Sequence, residues 1–162
     1  CSVITSGDCS PSNLKNLNLF SGKENNASMI CNVESGGIAN KKSNSDYCSV
    51  GQTTFSFGLF QINLLVHGDK IPNSIGNCSN LFTTSGGKEI GIGKSGYVVR
   101  DEKGNYTYDC KLKSERGDDY NKCSAYLKTA SGNLSIASKL FQARLFEDWR
   151  LSDQKICSAA FQ

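Results

Sequence analysis

Apolar residues first recur at Leu14, Leu17 and Phe20, a helical spacing set among Ser, Asn and Gly, so residues 1–22 predict one short helix in an irregular lead-in. From Asn25 or Asn26, either a plausible N-cap, Ala27, Ile30 and Cys31 share one helical face, and the pattern stops at Ser35-Gly36-Gly37. Residues 38–54 are polar and predict a loop or short hairpin. Phe55-Ser56-Phe57-Gly58-Leu59-Phe60-Gln61-Ile62-Asn63-Leu64-Leu65 is the most apolar stretch and must be buried. Tyr97-Val98-Val99-Arg100 and Tyr106-Thr107-Tyr108 flank Asp101-Glu102-Lys103-Gly104-Asn105, which reads as a β-hairpin with a Gly-containing loop. From Asn133 onward, Ile136, Leu140 and Ala143, with Ala137 and Phe141 beside them, predict an amphipathic helix capped by Ser131 or Asn133. The expected fold class is α+β, mainly helical with a small β region, in one domain over residues 1–162, without internal repeat or low-complexity linker.

The eight cysteines change this picture by adding covalent staples. No C-x-x-C pair occurs, so neither a zinc site nor a thioredoxin-type motif is expected, and an even, dispersed count predicts disulfides and an oxidising compartment. No apolar run approaches the ~20 residues of a membrane span, and an export signal is expected to be already removed. Cys1 is open to three readings: a lipidated anchor, a disulfide partner or a segment boundary; membrane association is expected only with the first. A net charge of +3 and pI near 8.4 favour an anionic polymer as partner and are too modest to argue for nucleic acid.

Glu34 is the first candidate for chemistry. An acidic residue in the last turn of a helix opposes the macrodipole, so its place just before a glycine stop asks for a reason other than helix stability. Ile30-Cys31-Asn32-Val33-Glu34-Ser35-Gly36-Gly37 followed by Phe57-Gly58-Leu59-Phe60-Gln61-Ile62-Asn63 resembles the lysozyme superfamily. The first segment looks like the helix-terminal Glu-Ser-Gly of goose-type lysozymes and soluble lytic transglycosylases, the second like the Gln-Ile-Asn strand of chicken-type lysozymes. Cys78-Ser79-Asn80-Leu81-Phe82 and the stretch from Ile136-Ala137 to Phe146-Glu147-Asp148-Trp149 extend the similarity, whereas residues 83–121 match nothing in the family and form an unplaced insertion holding the β-hairpin.

The resemblance implies a lysozyme-like, disulfide-stapled fold and a bacterial or phage domain that cleaves peptidoglycan glycan strands, acting outside the cytoplasm as a monomer without cofactor or metal. It implies Glu34 as the acid that protonates the leaving glycosidic oxygen, work that needs a raised pKa, and Phe146 as the apolar wall that desolvates it. Chicken-type lysozymes carry an Asp where this chain has Ser56, and a Ser cannot act as glycosyl nucleophile there. That departure leaves Ser56 at most a hydrogen bond to substrate, and moves the expectation toward single-acid hydrolysis or transglycosylation. Asp46 and Asp69 are candidate bases for an inverting hydrolysis, with loop-turn residues as the alternative for each. Gln61 and Asn63 are expected to offer amides to the sugar, or else to satisfy backbone in a buried strand. Trp149 is expected in the core, and a Cys9–Cys157 bridge is expected to tie the ends of the domain.

Other motifs carry less. Gly91-Ile92-Gly93-Lys94-Ser95 looks like the tail of a P-loop but lacks its first glycine, with Lys88 in that place. His67, the only histidine, has no nucleophile to activate, which leaves a surface loop or a core hydrogen bond. Asn26, Asn77, Asn105 and Asn133 fit the glycosylation sequon, which a bacterial or phage origin would leave unused. Two rival functions stand beside the enzyme: a catalytically inactive lysozyme-fold module that binds glycan or protein, and a disulfide-rich inhibitor or secretion-apparatus domain.

Overall fold

The computed structural model describes residues 1–91, 97–100 and 106–162. The chain divides into two compact units interleaved in sequence: unit 1 comprises residues 1–41, 58–61 and 128–162, and unit 2 residues 42–57 and 62–127. Among the described residues unit 1 is helical, while the strands all belong to unit 2 together with two α-helices, in keeping with an α+β class.

Unit 1 begins with α1 (Pro11–Asn16), capped by the Ser10 hydroxyl, which accepts from the Asn13 N–H. α1 packs on α2 (Glu24–Ser35) and buries Leu14 completely. α2 starts earlier than its sequence suggests: its N-cap is Lys23, which makes no side-chain cap, and Asn25 and Asn26 lie inside the first turn, where Glu24 meets the positive end of the dipole. Its end is where the glycines put it. Gly36 takes φ 66°, a left-handed conformation that costs glycine little, and its N–H closes the helix on the Asn32 carbonyl. α5 (Ala130–Arg144) is capped by Thr129, whose hydroxyl accepts from the Gly132 N–H, so neither Ser131 nor Asn133 is the cap. α6 (Glu147–Asp153) follows after Leu145 and Phe146, and packs on α2 and α5.

Asn133 does something else. Fully buried, its Oδ1 accepts the Phe60 N–H at 2.8 Å, while the Trp149 indole donates to the Phe60 carbonyl at 2.9 Å. Both peptide groups of a buried turn residue are therefore satisfied by side chains of α5 and α6, which they must be, since neither water nor a strand reaches them. Burial of Asn133 also closes that sequon to any glycan. The Phe60 ring stacks on Phe20 at 5.4 Å and meets Trp149 edge-on at 5.6 Å, and Phe141 and Phe146 complete the cluster. Trp149 thus belongs to the core, as its sequence position suggests.

The apolar stretch is a hairpin and not a single strand, its two short strands in unit 2 and its turn, residues 58–61, in unit 1. β1 (Ser56–Phe57) pairs antiparallel with β2 (Ile62–Asn63), with Phe57 opposite Ile62. The reversal is possible because Gly58 takes φ 81° and Gln61 φ 46°, so the chain turns within residues 58–61. Residues 38–54 form a loop tied to β1 by the isolated bridge Lys42–Phe57 and to the Tyr106–Asp109 strand by Cys48–Tyr108, with Tyr47–Thr54 closing the loop on itself. α3 (Leu64–His67) follows directly, with His67 in its last turn. Next come β3 (Phe82–Thr83), β4 (Tyr97–Arg100), β5 (Tyr106–Asp109) and β6 (Lys111–Leu112), pairing β3 with β6 and β4 with β5. The β4–β5 pair is the hairpin expected there; its loop, the P-loop-like segment from Ile92 to Ser95 and the Asn105 sequon lie outside the described residues. α4 (Gly117–Leu127) was not expected, although Asp118 and Asp119 in its first turn suit a helix start and Cys123 and Leu127 recur on its buried face.

The disulfides pair Cys1–Cys157 and Cys9–Cys31 in unit 1, and Cys48–Cys110 and Cys78–Cys123 in unit 2. The expected Cys9–Cys157 bridge is incorrect. Packing of α1 on α2 brings Cys9 to Cys31, with a Cα separation of 6.3 Å. The residues before it instead run along α2, where the Asn32 amide donates to the Ser2 carbonyl and the Ile4 N–H to the Ser28 hydroxyl, leaving Cys1 to meet Cys157. The Cys1 sulfur is thereby engaged in a disulfide, not available for a thioether-linked lipid. Four disulfides fit an oxidising, extracytoplasmic environment, and among the described residues no helix is long and apolar enough to cross a membrane.

Asn133→Ala is expected to lower stability by about 1–3 kcal/mol, because it leaves the Phe60 N–H buried without an acceptor. Urea unfolding checks this, and an unchanged midpoint would show that the N–H finds another partner. The aromatic core of unit 2 predicts a pH dependence. Burial pushes Tyr120 up, and burial followed by the nearby Asp46 carboxylate pushes Tyr108 up. Folding thus favours the neutral phenols: their contribution is complete below the ordinary tyrosine range near about pH 10 and is lost as pH rises through the higher folded values. Thermal melts across the alkaline range should show the loss together with phenolate absorbance.

Candidate active site

Glu34 occupies the last turn of α2, partly exposed, one residue before the buried Ser35 and two before the left-handed Gly36. Ser35 fixes this end of the helix: its hydroxyl donates to the Cys31 carbonyl at 3.0 Å and accepts from the Gly37 N–H at 3.1 Å. No basic residue of α2 itself lies in the last turn. The missing cation arrives from outside, since Lys41 donates from Nζ to the Glu34 carbonyl at 3.0 Å. An ammonium on a terminal carbonyl stabilises the negative end of the dipole and offsets the unfavourable placement of an acidic residue there. Lys41 was not among the residues singled out from the sequence, which holds no signal that a lysine beyond the glycine stop folds back onto the helix.

The Phe57–Asn63 segment presents its polar groups differently from a strand. Gln61 lies in the turn, where its Nε2 donates to the Gly58 carbonyl at 2.9 Å, so this amide braces the hairpin. Asn63 caps α3, its Oδ1 accepting the Leu65 N–H at 2.8 Å. Both remain partly exposed. Each amide satisfies backbone, the simpler of the two roles expected for it. Ser56 is corrected: its side chain is fully buried, and its hydroxyl has no hydrogen-bond partner among the described residues, so it presents no surface to a sugar.

Phe146 is buried between Phe141, 4.8 Å away, and Phe20, 6.0 Å away, at the start of α6. It also lines a cavity of about 190 Å³ in unit 1, with Phe141, Leu145 and Phe161 as its other apolar walls. The two candidate bases belong to unit 2. The Asp46 backbone is held by the Ser43 hydroxyl, and its carboxylate lies close enough to Tyr108 to disfavour the phenolate. Asp69 is exposed in a short 3₁₀ turn, Gly68–Lys70, and pairs with its neighbour Lys70. Among the described residues no group of three or more His, Cys, Asp or Glu side chains gathers as a metal site.

Asn63→Ala should cost about 1 kcal/mol through loss of the α3 cap, and Asn63→Ser should retain most of it, because a hydroxyl caps nearly as well. Equal unfolding midpoints for the two variants would remove the capping role.

No protein-family model, curated protein or solved structure matches this chain.

Proposed function

We propose that this chain is a lysozyme-like muramidase that cleaves the β-1,4 linkage between N-acetylmuramic acid and N-acetylglucosamine in peptidoglycan. It works outside the cytoplasm, with Glu34 as its acid. The observation that carries the reading is the position of Glu34: a partly exposed carboxyl at a glycine-stopped helix end whose electrostatic cost is offset by a lysine from outside the helix. A side chain kept where it disfavours the helix is explained by chemistry performed there. The sequence resemblance gives that chemistry its class, and four disulfides suit a domain exposed to an oxidising surrounding.

In this reading Glu34 enters the reaction protonated and transfers its proton to the glycosidic oxygen as the C–O bond breaks, neutralising a leaving alkoxide. Ser56 supplies no carboxylate and lies buried, so no covalent glycosyl-enzyme forms through it. The electron-deficient sugar carbon is then taken either by water or by the sugar's own 6-hydroxyl, the latter giving a 1,6-anhydro product, and in each case the Glu34 carboxylate takes the proton released and becomes the acid again. Gln61 would offer the sugar its amide oxygen, and Phe146, packed against Phe20 and Phe141, is the apolar wall that the resemblance assigns to the acid.

A second reading, a catalytically inactive lysozyme-fold module that binds glycan or protein, is favoured by one observation: the position expected to face the sugar is a fully buried serine.

Glu34→Gln is expected to keep the fold and to lower cell-wall cleavage by about 10²–10⁴-fold, the usual worth of general acid catalysis. Mass analysis of the released muropeptides checks activity and product together, since hydrolysis leaves reducing ends and transglycosylation leaves 1,6-anhydro sugars. Wild-type release equal to that of Glu34→Gln would discard the enzyme reading, and retained binding to insoluble peptidoglycan would then favour the inactive module.

A further inference from the structure

Lys41 makes two bonds that no sequence pattern announces. Its ammonium donates to the Glu34 carbonyl at 3.0 Å, and its own carbonyl accepts the Gly58 N–H at 2.7 Å. One residue therefore joins the last turn of α2 to the first residue of the hairpin turn, all within unit 1. The two partners are the two halves of the candidate site: Glu34, and the turn braced by Gln61 through the same Gly58. Between Glu34 and Lys41 the chain passes through Gly36 and Gly37, both at positive φ, and reverses direction; the Lys41 N–H donates to the Ile38 carbonyl within that reversal. A segment that begins with two glycines has little stiffness of its own, so the ammonium bond is what fixes its far end to the helix. That bond is charge-assisted and partly buried, the kind that holds geometry best.

We propose that Lys41 is a positioning residue: it holds the helix turn that carries Glu34 in register with the hairpin turn, and so sets the acid's distance from a glycan seated on that turn. The catalytic part of this inference rests on the muramidase reading; the clamp itself does not. Small displacements of an acid from its leaving group cost rate and leave binding intact, so the clamp acts on kcat.

Lys41→Met removes the ammonium and keeps the apolar stem, and Lys41→Arg restores charge and donors. Amide hydrogen exchange is measured on both, together with kcat and KM on soluble peptidoglycan fragments. In Lys41→Met, exchange at Gly36 and Gly58 is expected to rise about tenfold while the amides of α5 stay at the wild-type rate, as loss of one charge-assisted hydrogen bond would give. With it kcat should fall by about the same factor at unchanged KM, and Lys41→Arg should recover most of both. Unchanged exchange at Gly36 and Gly58 overturns the clamp, and so does faster exchange throughout unit 1, which marks a general loss of stability. Faster local exchange with unchanged kcat overturns the positioning role. Should Lys41→Met fail to fold, Lys41→Gln, which keeps a neutral donor, takes its place with the same readings. A wild-type protein without activity would defeat the muramidase reading, and the exchange data would still decide the clamp.

Discussion

The peptide unit around Phe60 is the constraint on which the helical unit depends. A turn residue with no accessible surface has one N–H and one C=O to satisfy, and a turn provides no ladder for them. Asn133 from α5 and Trp149 from α6 meet both needs, and those two helices must take up their places for the bonds to form. The ring of the same residue then organises Phe20 and Trp149 around it, with Phe141 and Phe146 behind. Polar satisfaction and apolar packing are here two requirements on one residue, and either alone would leave the helices less determined.

Unit 2 solves the same problem with other means. Its strands are only two to four residues long, too short to hold together by ladder hydrogen bonds alone. Two disulfides and a lattice of edge-on rings stand in for sheet area: Phe55 against Phe82 and Tyr108, and Tyr120 against Phe57 and Phe82. The Tyr120 hydroxyl donates to the Thr54 carbonyl, anchoring α4 to the loop that leads into β1. Burial among these rings raises both phenols above the ordinary tyrosine range, with the Asp46 carboxylate adding to the effect at Tyr108.

The candidate site draws on a similar economy. Glu34 is unfavourable where it stands, and Lys41, Ser35 and Gly36 together hold that end of the helix. Gln61 and Asn63 show how one amide can serve structure. Gln61 braces the turn through its nitrogen and Asn63 caps α3 through its oxygen.

Much of this was written in local sequence. The end of α2 at Ser35-Gly36, the hairpin of β4 and β5, the amphipathic α5, the burial of the apolar residues of 55–65 and the core role of Trp149 all follow from spacing, glycine chemistry and apolar content, which act over a few residues. Glu34 stood out for the same reason, being at odds with its own helix. What only the tertiary structure decided depends on partners far apart in the chain. Cys9 met Cys31 because α1 packs on α2, and Cys1 met Cys157 because the residues after it run along α2, neither of which cysteine spacing encodes. Asn133 was taken from a capping role to hold Phe60, Lys41 was brought back to Glu34, and Ser56 turned inward, since the direction of a side chain depends on what packs against it and not on its neighbours in sequence.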